Sequence, residues 1–502
     1  MPPQRCCQVR DGLKHEPAMA RPRTKESSHD GLRSPHRRQG MANSPVYRLF
    51  VRSFARHAIQ TLERDSSSSL QYSISKQPFK PTRTEFPNMA VHETPRPRLT
   101  CHTLPCVVMR AGTSKGLFIH KKDLPAKQSD WAPHLISALG SRGADPRQID
   151  GIGGGSSTTS KVAVVSPSRR PGIDVDFTFV QVAVGKEAVD FSGNCGNMVS
   201  GVGPFAVQEG LVMPHGGEAQ MDVRIFNTNT NRTIVETVEI DETGSFIEDG
   251  SYTIPGVSTT GSEVRVTFVD PAGSMTGKLF PSGKRQQTLA VQPPLAMAHV
   301  GSFTVKVTLV DASNPFVLVD ATSIAALLQT TSSAGDKDML VEAVRRQGAV
   351  AMGLASSVDA AAKTRGTPKV ALVYPPVFQE KGAPDIRVQS YSMGQPHPSL
   401  QLTGAVCLAA ALSAPGTVAA ELSARPVIED GALLTPQRTP SPSAEIASAG
   451  DHGQRREREV VLAHSKGTIR VGVVLGDEDR VESCMVSRTA RRLFEGKVRY
   501  YV

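Results

Sequence analysis

Aromatic residues and cysteines are both scarce in this chain of 502 residues. Phe, Trp and Tyr make up 5% of the sequence, with a single Trp, and only seven residues are Cys. An odd number of thinly spread cysteines without a CxxC pair excludes a disulfide-rich secreted scaffold and a CxxC metal site. We therefore expect a reducing compartment and no bound metal. The 39% of hydrophobic residues still allow a sizeable core.

Long apolar runs are also missing. No run approaches the roughly 18 to 20 residues that are needed to span a bilayer. The sequence therefore predicts a soluble protein that has no membrane partner.

The excess of basic over acidic residues is confined to the beginning of the chain. The net charge of +10 comes from 57 basic and 47 acidic residues, and residues 1–100 hold 18 of the basic and 8 of the acidic ones. The remaining 402 residues carry 39 of each sign and are neutral. A surface that binds nucleic acid normally gives the folded domain a basic excess, so we predict no nucleic-acid partner.

Residues 1–100 have the composition of a disordered basic leader, with frequent Arg and Pro and a serine run. Within 41–70, the stretch Met41–Leu62 has no acidic residue. Three arginines in it fall four residues apart, at Arg48, Arg52 and Arg56. An Arg-rich, acid-free amphipathic segment is typical of a mitochondrial presequence. The alternative is a disordered tail on a cytoplasmic protein.

The rest of the chain has the pattern of an α+β protein in which strands predominate. Alternation of apolar and polar residues predicts half-buried strands at 174–179, 221–226, 263–269, 303–309 and 469–475. Helical patterns occur at 321–330 and 338–347 and in short small-residue segments after Cys195 and after Thr403.

Near the end of the chain, residues 431–457 are rich in Pro, Ser and charge and lack periodicity, which indicates a surface insertion loop. Ordered signals resume after it. They predict two strands, followed by a basic segment around RTARRL that we interpret as a helix.

Three segments are rich in glycine and small polar residues: Arg110–Gly116, Asp150–Ser168 and Phe191–Leu211. None has the GxxxxGK[ST] order of a phosphate loop, which argues against nucleotide binding.

Cys195 stands directly before a short helical pattern in the third segment. The free N–H groups at a helix start stabilise a thiolate and bind carboxylates. An isolated cysteine is more often a small buried hydrophobe, but the flanking Gly-Asn pairs favour an accessible position. Pro204 limits this helix to a short or kinked one.

Lys161 lies at the mouth of the apolar strand 162–165, after a run of Gly, Ser and Thr. A lysine with so few charged neighbours can have a lowered pKa and act as a base. The alternative is an ordinary solvated lysine at the end of a strand.

Taken together, the segments resemble the PrpF family of aconitate and methylitaconate double-bond isomerases, which also includes oxalomesaconate tautomerases. Seven motifs occur in family order from residue 101 to the C-terminus. They are MRAGTSKGLF, IDGIGGGSSTTSKVAVVSPS, GNCGNMVSGVGPFAVQEGLV, PAGSMTGKLFPSG, VTLVDASNPFVLVDA, SMGQPHPSLQLTGAVCLAAA and RTARRLFEGKV.

This resemblance implies the diaminopimelate-epimerase-like fold, in which two similar β-rich domains each surround a central helix and the active site lies in the cleft between them. We place the domains at 101–300 and 301–502. The segments GNCGNMVSGVG and LTGAVCLAAAL open a helix in each half, as a duplicated architecture requires.

In the epimerases of this superfamily, a cysteine at each helix start supplies one of two bases. Here Cys195 matches the first, whereas Gln401 stands where the second would be and Cys407 lies inside the apolar helix, more in keeping with the core. The loss of one thiol argues against two-base epimerisation. The resemblance implies a lysine with one cysteine, which would be Lys161 and Cys195.

The implied reaction is a cofactor-independent movement of a carbon–carbon double bond in an unsaturated di- or tricarboxylic acid by allylic proton transfer. Lys161 and Cys195 would be the acid and base. Candidates to bind the carboxylates of this small polycarboxylate are Ser114, Asn194, Gly196, Asn197, Thr403 and Gly404. Two alternatives remain open, an epimerase or racemase on the same fold and a non-catalytic tricarboxylate binder. A homodimer is the assembly to be tested.

Overall fold

The structure, a computed structural model, describes residues 98–214, 217–331, 333–376, 383–423 and 455–502. The described residues all belong to one compact unit, 94–502. The predicted presequence at 41–70 and most of the predicted insertion at 431–457 lie outside the described residues.

Strands dominate the described residues, as the sequence predicts. In chain order they are β1 (Cys101–Ala111), β2 (Ser114–His120), β3 (Lys161–Pro167), β4 (Val175–Val182), β5 (Val189–Asp190), β6 (Gln220–Asn227), β7 (Arg232–Glu239), β8 (Val264–Val269), β9 (Gln287–Val291), β10 (Phe303–Asp311), β11 (Pro315–Asp320), β12 (Lys369–Tyr374), β13 (Ile386–Ser392), β14 (Gln395–Pro396), β15 (Arg456–His464), β16 (Gly467–Leu475), β17 (Val481–Arg488) and β18 (Ala490–Tyr501).

Helices are short apart from one. In chain order they are α1 (Trp131–Leu139), α2 (Gly196–Val199), α3 (Val202–Gln208), α4 (Ala325–Thr330), α5 (Ala334–Ala351), α6 (Val358–Lys363), α7 (Leu402–Leu412) and α8 (Val418–Leu422). The segment after Cys195 is broken into α2 and α3, and Pro204 sits in the first turn of α3, where the missing N–H costs little.

The two halves of the sheet have equivalent strand orders, each counted from its own end of the sheet. Hydrogen-bonded neighbours follow one another as β18-β1-β2-β3-β4-β6-β7-β8-β17-β16-β15-β13-β12-β11-β10-β9. Each strand of the first half has a counterpart in the second, with β1 matching β10, β3 matching β12 and β8 matching β17. The family resemblance implies this duplication, and the two small-residue helix segments fit it.

The last strand of each half is exchanged. β9 follows β8 in the chain but pairs with β10, and β18 follows β17 but pairs with β1. A single cut at residue 300 therefore does not separate the two halves, because β18 completes the first one and β9 the second.

One element differs in type from its prediction. The segment RTARRL, interpreted as a helix, is extended, because Arg488 ends β17 and Ala490 begins β18, which pairs antiparallel with β1. Pairing with a neighbouring strand overrides helix propensity here, and most of the β18 side chains are exposed at the edge of the sheet.

Each half surrounds a helix that has no solvent-facing side. Every residue of α7, LTGAVCLAAAL, is buried, and so are all of α2 and all of α3 except its last residue. A helix that is apolar all round requires burial on all sides, which strands β10, β11, β15, β16 and β17 provide for α7. Among the described residues, no helix is long and apolar enough to cross a membrane.

Candidate active site

A small cavity lies where the starts of α2 and α7 approach each other. Five of the predicted site residues line it: Ser114, Lys161, Asn194, Cys195 and Asn197. The second half of the chain contributes Lys369, Ser392, His397 and Gln401 among others. The cavity is therefore built by both halves, as the resemblance implies.

Cys195 is the residue immediately before α2 and is partly exposed to the cavity. Burial raises the pKa of its thiol, and the ammonium groups of Lys161 and Lys369 lower it. Favourable interactions with the backbone N–H of Met198 and the hydroxyl of Ser114 act in the same direction, and the pKa is held below its usual value. The sequence predicts a thiolate-stabilising helix start, and the two lysines strengthen it.

Lys161 is the first residue of β3, and its side chain is buried. Its Nζ donates to Oε1 of Gln181 at 2.7 Å and lies 5.0 Å from the centroid of the Phe179 ring. The alternative of a solvated strand-end lysine is therefore wrong. An amide oxygen and an aromatic face hold the amine without a paired carboxylate.

Lys369 is a second lysine in the cavity that we did not predict. It is the first residue of β12, the counterpart of β3, and its Nζ donates to the backbone oxygen of Asn194 at 3.2 Å. Burial lowers the pKa of Lys369 to about 8, although the charge of Cys195 acts in the opposite direction. A signal was present in the sequence, since SKVAVV at 160–165 is echoed by PKVALV at 368–373.

Gln401 precedes α7 in the way that Cys195 precedes α2. Its side chain is tied to the second half, with Oε1 accepting from the hydroxyl of Ser390 and Nε2 donating to the backbone oxygen of Tyr391 at 3.1 Å. The structure therefore places glutamine where a second thiol would stand, as the sequence predicts.

Cys407 belongs to the core, also as predicted. It is fully buried in α7, and its Sγ donates to the backbone oxygens of Ala312 and Asn314 at 2.9 Å each. Burial raises the pKa of this thiol, which leaves it protonated.

Two of the predicted binding residues are held by other side chains. Asn194 accepts from Nδ2 of Asn227 at 2.8 Å. Asn197 donates to the hydroxyl of Thr113 at 3.0 Å and accepts from Nε of Arg488 at 3.3 Å. These bonds fix the orientation of both amides before any ligand binds.

Ser114 has a buried hydroxyl that has no hydrogen-bond partner within 3.5 Å among the described residues. It lies in the cavity wall near Cys195. Its interaction with the Cys195 thiol lowers the pKa of that thiol, and the hydroxyl can also bond to a ligand oxygen.

Gly196, Thr403 and Gly404 do not line the cavity. A Cβ on Gly196 would lie 2.8 Å from Cδ2 of Leu402, and one on Gly404 would lie 2.8 Å from Cζ of Phe316. Both glycines thus allow close packing around the two helix starts. Thr403 is fully buried, and its hydroxyl also has no partner among the described residues.

The open space within the cavity is about 30 Å³, close to the volume that one water molecule occupies in the liquid. A larger groove of about 940 Å³ adjoins it and shares Gln181, Asp190, Ser392 and Met393 with its wall. The groove therefore continues into the cavity that contains Cys195.

Asp190 and His397 are the other titratable side chains in the cavity wall. Asp190 accepts from the N–H and hydroxyl of Ser192 and from the N–H of Gly366. Burial lowers the pKa of His397 to about 4, so this ring is neutral at pH 7. Among the described residues, no group of three His, Cys, Asp or Glu side chains is arranged to hold a metal ion.

Comparisons with known proteins agree with this architecture. The model of the family described as PrpF protein matches residues 101–429. The 2-methyl-aconitate isomerase of Cupriavidus necator is 35% identical over 422 residues, which cover 79% of this chain and 96% of that protein. The (4E)-oxalomesaconate Delta-isomerase of Novosphingobium sp. strain KA1 is 34% identical over 413 residues, which cover 80% of this chain and 99% of that protein.

Among solved structures, the crystal structure of methylitaconate-delta-isomerase is similar to this chain, with a TM-score of 0.56 and 31% sequence identity. The likeness covers 80% of this chain and 96% of that one. The predicted fold, two similar β-rich halves each around a central helix, is confirmed.

Proposed function

The chain belongs to the PrpF family, and we infer that it is an isomerase that moves a carbon–carbon double bond in an unsaturated di- or tricarboxylic acid. Relatives that match over almost their whole length are named as isomerases of 2-methyl-aconitate and oxalomesaconate. The observation that carries the inference is the cavity in which Lys161, Cys195 and Lys369 meet beneath the two helix starts.

The reaction that we propose for this cavity consists of two proton transfers. A base removes a proton from the allylic carbon, the electron pair delocalises into the carboxyl-bearing alkene, and a proton then returns at the far end of the allyl unit. We assign the removal to Lys161, which acts as the neutral amine, and the return of a proton at the far end to Cys195, which acts as the protonated thiol. The two transfers leave an ammonium group and a thiolate, and proton exchange with solvent restores the starting forms. The intermediate is a dienolate, whose charge is stabilised by ammonium groups and by helix N–H groups.

The substrate that we propose is a small polycarboxylate of the aconitate type. Lys161 and Lys369 line the cavity and can bind carboxylates. Ser114 offers a buried hydroxyl in the cavity wall beside the thiol. No cofactor enters the proposed steps, and this remains a prediction.

The two-base epimerase is the weaker candidate, because Gln401 replaces the second thiol and Cys407 is inaccessible. A binder without catalytic activity would not need a thiol whose pKa is lowered. The isomerase, the epimerase and the non-catalytic binder therefore predict different experimental results.

A panel of cis-aconitate, trans-aconitate, 2-methylaconitate and itaconate-type acids, followed by proton NMR and by the ultraviolet absorbance of the alkene, tests the function. We expect at least one acid to yield a product with a shifted double bond. Exchange at a stereocentre without an absorbance change would indicate an epimerase. A rise in melting temperature with trans-aconitate but no turnover of any acid would indicate a binder.

For the location of the protein, we propose that segment 41–70 directs it to mitochondria. The support is its arginine spacing and lack of acidic residues between Met41 and Leu62. A fluorescent protein fused after residue 100 should enter mitochondria, and replacing Arg48, Arg52 and Arg56 by Gln should leave it in the cytoplasm. A cytoplasmic signal from the unaltered fusion would contradict this.

Light scattering tests the predicted homodimer.

A further inference from the structure

Two lysines, one from each half, face the single thiol of the cavity. Lys161 begins β3 and Lys369 begins β12, and these strands occupy equivalent places in the palindromic strand order. The helix that follows in each half begins after Cys195 in the first case and after Gln401 in the second. The duplication has therefore kept both cations but only one thiol.

We propose that Lys369 is a positioning residue whose ammonium group stabilises the Cys195 thiolate. The purpose of this role rests on the proposed isomerase function, in which Cys195 exchanges a proton with the substrate. Its physical effect exists in the free protein, where it can be measured without a substrate.

The placement of Lys369 is fixed by the backbone beside the thiol. Its Nζ donates to the backbone oxygen of Asn194, the residue that precedes Cys195. It also lies 5.8 Å from the centroid of the Phe316 ring. Lys161, in contrast, is anchored by Gln181 on β4. The two cations thus reach the thiol from different walls and have separate hydrogen-bond partners.

The charge of Lys369 is not neutralised by a carboxylate at hydrogen-bond distance within the described residues. Asp190 is the acidic residue in the cavity wall, and its oxygens accept from Ser192 and Gly366. Gln401 is bonded to Ser390 and Tyr391 and supplies no charge. The ammonium group of Lys369 lowers the pKa of the Cys195 thiol, and the charge of Cys195 in turn raises the pKa of Lys369.

The pH dependence of Cys195 alkylation by iodoacetamide in the full-length protein tests the proposal, with the modified peptide followed by mass spectrometry. Since only the thiolate reacts, the midpoint of the profile reports the pKa of the thiol. Lys369→Met should raise this midpoint by about one unit and slow the reaction at pH 7 about tenfold, as expected for the loss of a nearby opposite charge. Lys369→Gln should give the same result.

Two control variants separate charge from structure. Lys369→Arg keeps the positive charge and should keep the midpoint. Lys497→Met, the same substitution at an exposed lysine of β18, should also leave it unchanged. We expect Lys369→Met to melt no lower than the unaltered protein, because it removes a buried charge. An unchanged midpoint in folded Lys369→Met and Lys369→Gln would overturn the proposal.

Failure of this inference and failure of the proposed function look different. If the unaltered protein converts none of the acids, the isomerase proposal fails while the alkylation profile still measures the effect of Lys369. If it converts one of them and the midpoint does not move in the variants, only the role of Lys369 fails.

Discussion

A thiol surrounded by protein loses the solvation of its charged form, so Cys195 would be a poor proton-transfer group without neighbouring cations. Lys161 and Lys369 supply them, and burial alone would move the pKa in the opposite direction. At Cys407 burial dominates, since it raises the pKa although Lys369 acts in the opposite direction, and the Sγ bonds to backbone oxygens. The difference between the two cysteines lies in their neighbours.

Glu236 is a buried carboxyl outside the cavity whose ionisation should limit stability. It lies on β7 and is fully buried, and its Oε2 accepts from the N–H of Gly203 at 2.6 Å. Its Oε1 has no hydrogen-bond partner among the described residues. Desolvation raises its pKa well above the usual value, which means that the native state favours the protonated form.

Glu236→Gln should therefore become more stable, relative to the unaltered protein, as the pH rises. A carboxyl whose pKa is raised in the native state makes its full contribution to the free energy of unfolding below its unfolded pKa of about 4.3. That contribution is lost as the pH rises through the native pKa. Glutamine has no charge to lose, so we expect a gain of about 1–3 kcal/mol at pH 8 relative to pH 4. Melting temperatures across this range measure it. Glu239→Gln on the same strand should show no such trend, and parallel curves for Glu236→Gln would contradict the argument.

At the scale of elements, the two helix starts are packed by complementary pairs. Gly116 on β2 lies against Met198 of α2, and Phe316 on β11 lies against Gly404 of α7. The strand registers make Gly116 and Phe316 equivalent positions. The duplicated halves thus fill the same space with a small strand residue and a large helix residue in one case, and the reverse in the other.

Gly404→Ala should destabilise the protein, because the new Cβ would lie 2.8 Å from Cζ of Phe316. Overpacking of this kind costs about 1–3 kcal/mol, which exceeds the gain in helix propensity. Urea unfolding of the variant measures it, and Phe316→Leu in the same chain should restore part of the loss. Gly335→Ala in α5, where 3.6 Å separates the new Cβ from Oγ of Ser333, is the matched control and should not destabilise. A neutral Gly404→Ala would show that the ring moves freely.

Elements with strong local periodicity could be predicted from the sequence, and those set by distant pairing could not. The alternation at 303–309 gave β10, whereas the arginine-rich end of the chain was interpreted as a helix because its partner strand, β1, lies almost 400 residues earlier. Lys161 and Cys195 stood out through their neighbours in the sequence. Lys369 did not, since only the duplicated fold brings it to the same thiol.

For the whole molecule, the exchanged strands make the two halves depend on each other. β9 and β18 each complete the opposite half, and β8 pairs with its own counterpart β17. The cavity that contains Lys161, Cys195 and Lys369 forms where these halves meet.

The net charge of the whole chain and the local charge of the cavity have different origins. The net +10 of the chain arises within residues 1–100, and the remaining 402 residues are neutral. An anionic substrate is therefore attracted by the two local lysines and not by the net charge.

Solvent deuterium incorporation tests the central claim, that Lys161 and Cys195 carry an allylic proton transfer, most directly. With an acid that the unaltered protein converts, NMR in D₂O should show deuterium at the allylic carbon together with the shifted double bond. Lys161→Met and Cys195→Ser should each reduce both signals by about 10² or more, as expected for the loss of an acid–base group. Undiminished incorporation in both variants, each folded as judged by its melting temperature, would contradict the account.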